Sequence, residues 1–196
     1  MDSFACNLAE LQKLHAENPA GFEDLSYHER YIQDAVIEGD AQSLKWLLDV
    51  GAGWTDSAGG DDDLVGMAVD GGHIAVLECL FNSAYPWRNK LGDLAERAVF
   101  SGQTETLDWL VGNGFVRLED EDHELVCWAV RESNLEMLEW LHTHGATLNS
   151  VASACAVKFN KLEAFHFLLD RGVPWVDDGS KRGEAWYNAY MSDEVN

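Results

Sequence analysis

Three runs of carboxylates punctuate the chain: Asp61, Asp62 and Asp63; Glu119, Asp120, Glu121 and Asp122; and the pair Asp177 and Asp178. Massed carboxylates draw in a basic partner from a distance, and they equally serve to keep a loop solvated. A second set, Met67, Arg97, Phe100, Trp128 and Arg131, holds the residue types that the centres of protein interfaces favour. His123 and Cys127 stand one helical turn apart beside the second acidic run, but no second pair completes a metal corner. His142 and His144 lie three and one residues before Gly145, a place where imidazoles satisfy helix-end carbonyls. The sequence contains no P-loop, G-x-G-x-x-G, H-E-x-x-H or G-x-S-x-G motif, so catalytic residues, cofactors and metals are not assigned. The expected chemistry is recognition of a protein.

Composition narrows the partner. With 35 acidic residues against 13 Lys and Arg, the net charge is -22. Direct binding of nucleic acid requires clustered cations and is therefore not expected. A basic protein would be steered in by this field, although charge of this size also keeps a protein soluble. Apolar residues make up 46% of the chain, enough for a core, yet there is no run of 18 apolar residues, secretory signal or lipidation motif, and a cytoplasmic protein without membrane partners is expected. Cys6, Cys79, Cys127 and Cys155 lie far apart in the sequence among apolar residues, which predicts buried, reduced thiols.

The elements that would carry these groups repeat. An Ala-Val pair recurs at Ala35, Ala68, Ala98, Ala129 and Ala156, with spacings of 33, 30, 31 and 27. Nine residues after each Ala stands Leu44, Leu77, Leu107, Leu138 or Phe165, and twelve after it Leu47, Leu80, Leu110, Leu141 or Leu168. A period of this length held through five copies predicts a solenoid whose units bury their faces by stacking on neighbours. Short first helices are expected over 31–38, 64–71, 94–101, 125–132 and 152–159. Gly39, Gly72 and Gly102, then Ser133 and Asn160 in the later copies, occupy the position where a left-handed turn residue is wanted. The second helices are apolar around most of their circumference, with three polar positions per copy; their tryptophans, Trp46, Trp109 and Trp140, are expected in the core.

This register resembles the ankyrin repeat, with its A-A-x-x-G-H-L-E-V-V-K-L-L-L-x-x-G-A pattern; "AVDGGHIAVLECL" at 68–80 shows it best. The resemblance covers roughly residues 22–175 and implies an all-α ankyrin-repeat solenoid of helix-turn-helix units with half-repeat caps. The T-P-L-H turn of the family is replaced by "DLVGMA", "LGDLAERA", "HELVCWA" and "SVASACA", so regular β-hairpin fingers are not implied. Trp54, Trp87 and Trp175 close three units, which resembles the divergent ankyrin dialect of large DNA viruses and some microbial proteins.

A single domain, 1–196, is expected, with an N-terminal cap (1–21), five repeats (22–175) and a C-terminal cap and tail (176–196). Leu11 and Leu14 align with Leu44 and Leu47, while Ala185 aligns with Ala156. The exposed positions of the first helices, two and one before and two after each marker Ala, should line the concave surface. Met67, Arg97, Phe100, Trp128 and Arg131 fall there, with Cys127, Cys155 and Lys158. The expectation is a non-enzymatic adaptor or inhibitor that holds a basic protein in its groove, with Asp61 to Asp63 and Glu119 to Asp122 on the rim. The alternative is an acidic mimic of nucleic acid that blocks a basic nuclease or a DNA- or RNA-binding protein.

Overall fold

The computed structural model describes residues 8–17, 25–52, 63–83, 93–118, 123–175 and 179–193. Among these every regular element is a helix. The chain divides into two compact units, 1–109 and 110–196.

The first unit contains α1 (Leu8–Glu17), α2 (Leu25–Glu38), α3 (Ala41–Asp49), α4 (Leu64–Asp70), α5 (Ile74–Phe81), α6 (Leu94–Phe100) and most of α7 (Thr104–Gly112). Here α2 pairs with α3 and α4 with α5; α4 packs between α2 and α6, α5 packs on α3, and α3 on α1. The second unit contains α8 (His123–Glu132), α9 (Leu135–Thr143), α10 (Ser150–Phe159), α11 (Leu162–Asp170) and α12 (Lys181–Asp193). In it α8 pairs with α9 and α10 with α11, and α10 packs between α8 and α12.

Helices this short do not persist alone in water, so burial of their apolar faces sustains them. All five marker alanines and the residues nine and twelve positions after them are fully buried. Each large aliphatic side chain so enclosed contributes on the order of 2 kcal/mol.

The repeated turn has one construction. Gly39, Gly72, Gly102, Ser133 and Asn160 all adopt positive φ, between 56° and 74°. The next residue's N–H then reaches the carbonyl of the marker Ala: Asp40 to Ala35 at 2.8 Å, His73 to Ala68 at 2.8 Å, Gln103 to Ala98 at 2.8 Å, Asn134 to Ala129 at 3.0 Å and Lys161 to Ala156 at 2.8 Å. The bond closes the helix end in Schellman fashion. Thus the marker Ala offers a small side chain to the core and its carbonyl to the turn. In the first unit the turn residue also reaches the preceding copy: His73 Nε2 donates to the Ile37 carbonyl at 3.0 Å, and Gln103 Nε2 to that of Asp70 at 3.1 Å.

Several details depart from the sequence expectation. α2, α8 and α10 begin earlier, at Leu25, His123 and Ser150, and Asn149 caps the last of these by accepting from Val151 N at 2.9 Å. Leu11 is buried but Leu14 is 43% exposed, because α1 lies at the end of the described stack and only α3 packs closely on it. Ala185 is exposed; two residues earlier Gly183 makes the close approach, where a Cβ would lie 2.8 Å from Trp175 Cζ2. The second-helix tryptophans are half-buried rather than enclosed: Trp46 meets His15 edge-on at 5.5 Å, Trp109 stacks on Phe81 at 5.6 Å and Trp140 on His144 at 3.9 Å. Of the fifteen polar positions expected on the second helices only His166 is not exposed, since Tyr190 of α12 stands 5.7 Å away, ring to ring. Trp54 and Trp87 lie outside the described residues.

Candidate interaction surface

In the first unit, the residues two positions after the marker Ala come from three successively packed helices. Ile37 on α2 and Phe100 on α6 are 57% and 55% exposed, with Asp70 on α4 exposed between them in the packing order. Such large apolar groups facing water are informative because folding does not require them there. Met67, one residue before its marker Ala, is half-buried.

Arg97 is engaged within the unit. Its Nη1 donates to Asp63 Oδ2 at 2.8 Å and its Nε to Asp70 Oδ1 at 3.2 Å, while Nη2 forms a second bond with Asp70. Burial works against the guanidinium charge, but the hydrogen bond and charge of Asp70, with the charges of Asp63 and Asp93, outweigh it and hold Arg97 above its ordinary pKa. Asp63 also caps α4, accepting from Gly66 N at 3.0 Å. Two residues placed by sequence in a binding groove and on its acidic rim therefore form one clamp. The clamp ties α6 to both ends of α4.

The second unit presents cations and rings together. Arg131 lies over the Trp128 ring at 5.0 Å and over Phe159 at 5.5 Å, and Lys158 lies 5.4 Å from the Phe159 centroid. Trp128 is half-buried while Arg131 and Phe159 are exposed. A guanidinium held against aromatic faces needs little further ordering before it meets a partner. Phe159 went unnoticed in the sequence because it sits three residues after the marker Ala; its place just before the left-handed Asn160 is the signal that marks it as the edge of the turn.

The expectation of buried thiols is corrected, since Cys79, Cys127 and Cys155 are all half-buried. Cys127 on α8 and Cys155 on α10 bring their sulfurs to 2.6 Å, and both residues are half-buried. Their separation of 28 residues is close to one repeat, so packing of neighbouring first helices juxtaposes residues that sequence distance keeps apart. Hydrogen bonding to Cys127 is the largest influence on Cys155 and, with the charge of Lys158, outweighs burial to lower its pKa from 9.0 to about 7. Cys127 moves strongly upward, through the same bond, burial and the neighbouring Cys155 and Glu124.

On the second helices, Glu78, Glu105, Asp108, Glu136, Glu139 and Glu163 are all exposed. Glu139 is bonded by Arg171, whose guanidinium also covers the Phe167 ring at 3.5 Å. His144 Nδ1 donates to the Trp140 carbonyl at 2.8 Å, the helix-end role expected of it. Asp61, Asp62, Glu119, Asp120, Glu121, Asp122, Asp177 and Asp178 lie outside the described residues. Among the described residues no group of three or more His, Cys, Asp or Glu is placed to hold a metal, and no helix is long and apolar enough to cross a membrane.

Compared with known proteins, the chain matches no family model and no curated sequence.

Proposed function

We propose that the chain is a non-enzymatic interaction module built from ankyrin-type repeats, which binds a protein partner through the exposed side of its first helices. The observation that carries this reading is the Trp128, Arg131 and Phe159 cluster, where one guanidinium lies within 5.5 Å of two ring centroids on the packed helices α8 and α10. Aromatic and Arg side chains of this kind supply most of the binding energy at interface centres. The net charge of -22 favours a partner with a basic surface, drawn in over a distance and then seated on the aromatic cluster. A backbone carbonyl or carboxylate of that partner would meet Arg131. The five-copy register and the repeated Ala turn support the ankyrin-type reading, and Trp175 at a unit end fits the viral or microbial dialect.

Capture from an extract of the native host, followed by affinity measurement with the captured protein, tests the reading. Trp128→Ala should weaken binding by about 2 kcal/mol. Normal binding by this variant, with complete loss on neutralising Asp61 to Asp63 or Glu119 to Asp122, would favour the acidic nucleic-acid mimic instead. The acidic loops would then be the relevant surface.

A further inference from the structure

We propose that Cys127 and Cys155 form a redox-active dithiol that is oxidised to an intramolecular disulfide by an acidic low-molecular-weight disulfide of the glutathione type. The proposal stands apart from the protein-binding reading and needs no partner. Its first support is distance: the two sulfurs, 2.6 Å apart, are within about half an ångström of the covalent S–S length of about 2.05 Å. Joining them therefore requires little movement of α8 or α10.

The second support is the cleft beside Cys155. It has a volume of about 520 Å³ and is lined by Cys155, Lys158, Ser180, Lys181 and Arg182. Three of the 13 Lys and Arg residues of a strongly acidic chain thus line one cleft with Cys155. Arg182 is fixed from behind, its Nη1 donating to the Val157 carbonyl at 3.2 Å. A cationic cleft of this kind selects an anionic reagent, and the glutathione class brings carboxylates and a disulfide in one molecule. The charged groups acting on the sulfur pair are Glu124 on α8 and Lys158 on α10, and Lys181 and Arg182 on α12 line the cleft. Cys155 lines the cleft and Cys127 does not, which, with its lowered pKa, makes Cys155 the attacking thiolate.

The chemistry is two successive exchanges. The Cys155 thiolate attacks one sulfur of the bound disulfide; its S–S bond breaks, one small thiolate leaves, and a mixed disulfide remains on Cys155. Cys127 then gives its proton to the departed thiolate and attacks the Cys155 sulfur, expelling the second small thiolate. Two protein sulfurs are oxidised together by two electrons, and one small-molecule disulfide is reduced to two thiol equivalents.

Reduced full-length chain, treated anaerobically with glutathione disulfide, quenched with acid, alkylated and peptide-mapped, should contain a Cys127–Cys155 crosslink. Cys79, whose thiol is pushed up chiefly by burial, should remain alkylatable. Cys127→Ser should stop at a glutathione adduct on Cys155, and Cys155→Ser should leave Cys127 reacting at least about tenfold more slowly. Lys181→Gln with Arg182→Gln should slow oxidation by glutathione disulfide about tenfold while leaving oxidation by neutral hydroxyethyl disulfide unchanged. Absence of the crosslink in the unmodified chain, or a crosslink through Cys6 or Cys79 instead, overturns the pair. Equal reactivity of the two Ser variants overturns Cys155 as the attacking group, and equal slowing with both disulfides overturns the role of the cleft.

Discussion

At Gly66 a methyl group would sit 2.0 Å from Asp63 Oδ2 and 2.4 Å from Arg97 Cζ. Both are ends of side chains that can swing away, so the cost of Gly66→Ala is the clamp they would abandon rather than a backbone clash. Losing the Asp63 cap costs about 1 kcal/mol, and the half-exposed ion pair adds less than about 1 kcal/mol. Alanine's better helix propensity returns up to about 1 kcal/mol. Gly66→Ala should therefore destabilise the protein by about 1 kcal/mol or less, and become stabilising once Asp63→Ala and Arg97→Ala have already removed the clamp. Urea denaturation midpoints across this set provide the check. An identical cost in both backgrounds would show that Gly66 has nothing to do with Arg97. None of this clamp was legible in the sequence, because Asp63 and Arg97 are 34 residues apart and each taken alone reads as a surface charge awaiting a partner.

Among the helices, the turn after each marker Ala is where composition and conformation disagree most. Ser133 occupies the same left-handed turn as three glycines, at φ 56°, with Asn160 at φ 60°. An L residue there carries about 1 kcal/mol of strain, which Asn tolerates better than Ser. Ser133→Gly should raise stability by about 0.5 kcal/mol, after allowance for the greater unfolded-state freedom of glycine, and Asn160→Gly by less. Denaturation midpoints in the reverse order would refute the ranking. Trp109→Ala tests the packing instead: a half-buried ring stacked on Phe81 should cost about 2 kcal/mol, less than the 3 to 5 typical of an enclosed aromatic. The helices themselves were legible because a buried Ala, a left-handed residue four positions on and a buried Leu nine positions on recur with fixed spacing. Where a neighbour is missing or different, at Leu14 and Ala185, the same spacing misplaced the buried residue. Burial there depends on what packs against the helix, which a repeat in one chain segment does not encode.

Across the molecule, charge and apolar contact should separate in time. If Trp128 is the seat of the partner, Trp128→Ala should act mainly on the dissociation rate, whereas neutralising Glu119 to Asp122 should slow association and flatten its dependence on salt. Surface-plasmon or stopped-flow kinetics at several ionic strengths would resolve the two; equal effects on both rates from both variants would contradict the division of roles. The sequence register placed Trp128 and Arg131 on one exposed helix edge, but it did not show that Arg131 spans two rings, since Phe159 comes from the following copy. Nor did it show the meeting of Cys127 and Cys155, although both occupy neighbouring register positions one copy apart. What a repeat makes adjacent is one period away, and sequence distance hides it. The bonds from His73 to the Ile37 carbonyl and from Gln103 to the Asp70 carbonyl extend this point to engineering. The second and third copies in that unit each finish the turn of their predecessor with a single side chain, so the copies are not interchangeable bricks. A chimera that swaps copies while keeping every helix intact would still break the stack's syntax, unless the residue five positions after the marker Ala travels with the neighbour it serves.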